Sequence, residues 1–117
     1  MSVTITRLPA VLKPLAHGVV KADGTEQTLV EYIGIGVVEG YIDLSEMEDG
    51  DEVIVAQYVR VDNQTGWKRY AREVYKAKQE DPALYITPKP CDYALKITLQ
   101  QTKGILRNFT YNFLVKE

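Results

Sequence analysis

Few residues in this chain of 117 have the type and spacing that chemistry demands. One histidine, His17, and one cysteine, Cys91, are its whole stock of imidazole and thiol groups. A cysteine hydrolase would have to bring Cys91 onto His17, because a thiol becomes a nucleophile at neutral pH beside a base. Neither residue sits in a recognisable motif. Cys91 stands between Pro90 and Asp92, and His17 has no Cys, Asp or second His at metal-ligand spacing, so it reads as a turn residue. The acidic group Glu46, Glu48, Asp49, Asp51 and Glu52 offers the oxygen ligands that calcium takes, but without the spacing of an EF-hand loop. Acidic turns ahead of strands are ordinarily just solvated. Gly34-Ile35-Gly36 lacks the third glycine, the following helix and the βαβ setting of a dinucleotide site, and reads as a strand break. The expectation is no catalytic residue, no metal and no cofactor.

What remains is surface chemistry. Eight tyrosines and one tryptophan stand against two phenylalanines. Tyrosine joins an apolar body to a polar tip, which suits subunit interfaces, sugar-stacking platforms and half-exposed strands alike. Lys68, Arg69 and Arg72 beside Trp67 and Tyr70 form a small basic-aromatic patch, too short for single-strand nucleic-acid recognition. The net charge of −2 argues the same way, since nucleic-acid binders carry a basic excess. Asn63-Gln64-Thr65 and Asn108-Phe109-Thr110 match the glycosylation pattern, which matters only in a secreted chain.

The length fits one domain with a core of its own, at 45% hydrophobic and 26% charged residues. A lone cysteine gives no sign of a disulfide framework. No run approaches the roughly 20 apolar residues of a membrane span, and Met1–Arg7 lacks the layout of a signal peptide. Neither a membrane nor a nucleic acid is an expected partner.

These side chains must be positioned by strands. From Glu26 onward, apolar-alternating segments are separated by Gly, Asp, Asn and Pro turns. Residues 1–16 read as an arm, with Val3, Ile5, Leu8, Val11 and Leu12 apolar and Pro9 and Pro14 barring a long helix. Residues 17–117 read as the folded domain. Asp23-Gly24 signals a hairpin turn. Val38, Gly40, Ile42 and Leu44 share one face of their strand. Glu52–Asp62 and Trp67–Ala77 make a hairpin around Asn63–Gly66, with Val53, Val55, Val59 and Val61 on one face. Leu84–Thr87 is a short strand stopped by Pro88 and Pro90. Tyr93, Leu95, Ile97 and Leu99 face inward while Ala94, Lys96, Thr98 and Gln100 face away. Asn108–Lys116 buries Phe109, Tyr111, Phe113 and Val115, and Lys103-Gly104 joins these last two strands as an adjacent antiparallel pair. The sum is an all-β antiparallel β-sandwich, a single jelly roll of about eight strands, with a seven-stranded immunoglobulin-like sandwich as the competitor.

A set of turns carries a resemblance. Asp23-Gly24-Thr25-Glu26-Gln27-Thr28-Leu29, then Gly40-Tyr41-Ile42-Asp43-Leu44, then Gly50-Asp51, then Thr98-Leu99-Gln100-Gln101-Thr102-Lys103-Gly104 occur in that order. Over residues 18–117 the chain resembles small, mostly uncharacterised β-sandwich proteins encoded among the virion structural genes of tailed viruses and proviruses of bacteria and archaea. The resemblance implies a structural part of a virus particle, such as a capsid decoration or vertex component. Such a protein is made in the host cytoplasm, resides in the virion, and partners with copies of itself and with other virion proteins. The candidate interface is Val3, Ile5, Leu8, Val11 and Leu12 of the arm with Trp67 and Tyr70. A carbohydrate-binding or adhesion module using an exposed Tyr/Trp face is the alternative, and a small enzyme the third class.

Overall fold

In the computed structural model, which describes residues 12–117, period-two alternation becomes eight strands. They are β1 (Leu12–Lys21), β2 (Gln27–Ile33), β3 (Gly36–Asp43), β4 (Glu52–Arg60), β5 (Lys68–Lys76), β6 (Ala83–Cys91), β7 (Ala94–Lys103) and β8 (Asn108–Lys116). None of the described residues is helical. The strands form two four-stranded antiparallel sheets, ordered β1-β8-β3-β6 and β2-β7-β4-β5. The first strand pairs with the last, the second with the seventh, the third with the sixth and the fourth with the fifth. Two further pairings, β3 with β8 and β4 with β7, complete each sheet. The described residues form a β-sandwich of eight strands rather than seven.

The core lies between the sheets. Val38, Ile42 and Ile86 from one side and Val53, Val55, Leu95, Ile97 and Leu99 from the other are all buried, with Phe109 and Phe113 at 0% exposure. Each such side chain contributes roughly 1.5–3 kcal/mol on leaving water. Gly40 belongs to the same face for a reason of space. A Cβ there would collide with the Asn112 carbonyl oxygen and lie 2.6 Å from Phe113 Cδ1, so the missing side chain is what seats the Phe113 ring.

Two expected hairpins are not hairpins. β7 and β8 lie in opposite sheets and face one another across the core, β7 between β2 and β4, β8 between β1 and β3. Residues 104–107 must therefore bridge layers about 10 Å apart instead of turning within one. Buried Gln101 organises that bridge. Its Nε2 donates to the carbonyls of Lys103 (3.0 Å) and Ile105 (2.7 Å), and its Oε1 accepts the Arg107 amide at 2.9 Å. Gly104 sits at φ 93°, where only glycine is unstrained, and abuts Asp51. Asp23-Gly24 likewise links β1 to β2 across the two sheets; the Asp23 carboxylate accepts the Thr25 amide at 2.9 Å and hydroxyl at 2.6 Å. Among the described strands only β4 and β5, around the Asp62-capped turn, form a true hairpin.

Other departures have simple causes. β6 runs through Pro88 and Pro90 to Cys91, because it is an edge strand and needs amide donors on one side only. β1 begins at Leu12, so the last residues assigned to the arm belong to the sheet, opposite Lys116 and its neighbours. Ala94 and Thr98 are buried on the outward side of β7, since β7 is central and flanked by larger side chains. Val61 is 63% exposed beyond the end of β4, and Tyr111 is half-buried.

Candidate interaction surfaces

Alternation along β3 and β8 decides what the first sheet shows to solvent. With Val38, Gly40 and Ile42 turned inward, Glu39, Tyr41 and Asp43 must point out; with Phe109 and Phe113 inward, Thr110, Asn112 and Leu114 must. β1 adds Pro14, His17 and Val19, and β6 adds Tyr85. This face is rich in apolar surface: Val19 is 63%, Tyr41 54% and Tyr85 42% exposed. The Tyr41 and Tyr85 rings lean together at 5.0 Å and 35°, and Tyr85 donates to Glu39 Oε2 at 2.6 Å. That carboxylate pushes the Tyr85 phenol above its ordinary value. Across this face lie shallow, open depressions of about 520, 430 and 250 Å³, the two smaller ones beside the tyrosines. The largest is floored by β1 and β8, between Pro14, Val19 and Leu114.

The outer face of the second sheet is polar and satisfies itself. Thr98 Oγ1 donates to Glu26 Oε2 at 2.6 Å, and the Tyr58 hydroxyl donates to the same oxygen; these bonds hold the Glu26 carboxyl below the usual range. Lys96 Nζ lies 4.7 Å from the Trp67 ring and 5.0 Å from the Tyr58 ring, so the tryptophan is half-buried under its own lysine. Lys68, Arg69 and Arg72 are exposed.

The structure separates Trp67 from Tyr70. A register shift at Gln57/Tyr58 turns Tyr70 toward the space between the sheets. There its hydroxyl donates to Gln57 Oε1 at 2.9 Å, and Lys89 Nζ of the opposite sheet stands 5.8 Å from its ring. Burial pushes this phenol up to about 12. Leu12 is half-buried at the start of β1, and Val3, Ile5, Leu8 and Val11 lie outside the described residues. Tyr41, Tyr85, Val19 and Leu114 escaped the sequence reading, although two tyrosines and two aliphatics at outward positions were the available signal.

The reactive groups are dispersed. Cys91 is buried, its thiol donates to the Gly34 carbonyl at 3.4 Å, and burial raises its pKa, the reverse of what a nucleophile needs. His17 is exposed on β1, and Cys91 lies on β6 at the opposite edge of the same sheet. Three strand spacings, roughly 14 Å, keep them apart. The acidic residues also have other partners. Asp51 pairs with Arg107 at 2.9 Å, Glu46 accepts the Asn108 amide at 3.1 Å, and Glu52 accepts Thr102 Oγ1 at 2.6 Å. Among the described residues no three His, Cys, Asp or Glu side chains converge as a metal set would.

Compared with protein-family models, curated proteins and solved structures, the chain matches none of them.

Proposed function

We propose that this chain is a non-enzymatic structural component of a virus particle, built as a single jelly roll and acting as a homo-oligomer beside other virion proteins. The observation that carries the reading is the exposed apolar face of the β1-β8-β3-β6 sheet. Monomeric soluble proteins rarely leave a large contiguous apolar patch in water, and such patches mark contact surfaces. The ends of the sandwich support it too: Ile33 and Ile35 are 67% and 74% exposed at one turn, Ile105 and Leu106 72% and 50% at another. The jelly-roll description is supported by the nested pairing of first strand with last, which favours it over an immunoglobulin-like plan. Jelly rolls serve in viral capsids, in lectins and in cupins, so the fold narrows the role without choosing it. Composition analysis of purified particles, together with the genes flanking this one, is the test. Recovery of the chain in the particle beside capsid, portal or tail genes is the expected result. Absence from particles and metabolic neighbours would overturn it.

A carbohydrate-binding module is the second reading, favoured by one observation. Tyr41 and Tyr85 stand beside Glu39 and Asn112 around the depression of about 250 Å³, an aromatic platform with hydrogen-bonding groups at its rim. A glycan array separates the readings: saturable binding abolished by Tyr85→Ala would place a sugar there.

A further inference from the structure

We propose that the outer face of the β1-β8-β3-β6 sheet seats a second copy of this chain, face to face about a two-fold axis parallel to the strands. In this arrangement β8 of each copy lies over β3 of the other, and β1 over β6. The inference rests on the homo-oligomeric reading above and specifies its surface and symmetry.

Charge fixes the choice of axis. The charged side chains on this face are divided between its halves. Lys21 and Lys116 lie on the β1-β8 half, and Glu39 and Asp43 lie on β3. A two-fold axis along the strands lays the basic half of one copy on the acidic half of the other. The other face-to-face arrangement, with the axis across the strands, lays β3 on β3 and sets the two Glu39 carboxylates against each other. Like charges opposed in this way select against that arrangement.

Shape agrees with charge. Within one copy, register puts Tyr41 level with Asn112, Asn112 level with His17, and Tyr85 level with Tyr41. The axis along the strands therefore carries the leaning Tyr41–Tyr85 pair of one copy over the β1-β8 half of its partner. That half holds the depression of about 520 Å³ walled by Pro14, Val19 and Leu114. The aromatic pair of each copy meets that depression of the other, twice, by symmetry. Size agrees as well. Four strands about 4.8 Å apart and about 30 Å long cover roughly 570 Å² in plan. Side-chain relief brings this toward the roughly 800 Å² per partner of a standard interface.

Sedimentation of the full chain and its variants tests the arrangement. The wild type should sediment as a dimer or an assembly of dimers. Tyr41→Glu buries an unpaired carboxylate in the contact and should raise the dissociation constant at least roughly 30-fold, as loss of a hot spot does. Arg72→Glu, on the other sheet, should leave the mass unchanged. Glu39→Lys and Lys116→Glu should each weaken the dimer and together restore it while the melting temperature of the monomer stays level. That separates a contact between copies from the diagonal pair these residues make within one copy. A wild-type monomer at several hundred micromolar overturns the proposal, as does a dimer indifferent to Tyr41→Glu or a charge exchange without rescue. A dimer held through another surface leaves the particle reading standing, because that reading fails on a separate observation, absence of the chain from particles.

Discussion

Arg107 Nε donates to Asp51 Oδ2 at 2.9 Å, joining the bridge between β7 and β8 to the turn that precedes β4. Asp51 Oδ2 also accepts the Glu48 amide at 2.9 Å, and the Asp51 carbonyl accepts the Ala77 amide at 2.9 Å. One buried residue, through its carboxylate and its carbonyl, thus fastens three connections at the same end of the sandwich.

Removing the cation should be costly. Arg107→Met leaves Asp51, whose side chain is 2% exposed, without its counter-charge; Arg107 itself keeps 22% exposure. The expected loss is about 3 kcal/mol, the lower end for breaking a buried pair. Urea unfolding of the variant measures it, and an unchanged midpoint would refute the clamp.

The same site sets an acid limit. Burial pushes the Asp51 carboxyl up, but the Glu48 amide and the Arg107 guanidinium outweigh it and hold the group below its ordinary 3.8. Its stabilising contribution is therefore complete above 3.8 and is lost as pH falls through the lower folded value. Stability measured from pH 6 down to pH 2 should drop, and Asp51→Asn should flatten that drop while lowering the plateau.

Gly40 predicts a steric defect. Gly40→Ala forces a methyl group into the Asn112 backbone and the Phe113 ring. Backbone yields less than a flexible side chain, so the cost should reach or exceed roughly 3 kcal/mol, the upper range for overpacking. Denaturant titration that finds the variant as stable as the wild type would show that β3 and β8 can part without penalty.

The alkaline limit belongs to tyrosines. Burial raises Tyr70 to about 12 and also raises Tyr32 and Tyr75, while carboxylate partners raise Tyr58 through Glu26 and Tyr85 through Glu39. Each phenol keeps its proton more firmly folded than unfolded. The stability they add is present below the ordinary 10.0 and is lost as pH rises through the folded values. Phenolate absorbance should rise in steps, the last with unfolding, and Tyr70→Phe should remove amplitude from that last step.

Pro88 and Pro90 guard an edge. They lie in β6, the outer strand of its sheet, and deny an incoming strand two amide donors. The double variant Pro88→Ala, Pro90→Ala should remain folded but aggregate faster on agitation, as light scattering would record. Equal aggregation rates would assign the protection to other residues.

The strands were legible wherever one face alone is buried. Val38, Gly40, Ile42 and Leu44 alternate cleanly because Glu39, Tyr41 and Asp43 stay outside. Partnering was not legible. Lys103-Gly104 has the composition of a hairpin turn, and composition does not tell a turn within a sheet from a bridge between sheets. The telling residue is Gln101, an inward-facing amide on an apolar strand face, explained only by the loop it holds. Trp67 and Tyr70 are near in sequence but three residues apart, an odd spacing that strand alternation alone sends to opposite faces, and the bulge opposite Gln57/Tyr58 leaves them parted. The Tyr41–Tyr85 face needed β3 beside β6, a pairing known only from the fold.

Pairing the first strand with the last also sets when the protein can fold. Among the described strands β1 is made before the other seven, yet its neighbour within its sheet is β8, made after them all. Until then β1 has no other described strand to pair with and β3 lacks half of its ladder, so contacts distant in sequence must wait for β8. Loss of the nine residues of β8 would remove the strand that binds β1 to β3. A truncated product would therefore be a client for chaperones and proteases, never a smaller version of the same fold.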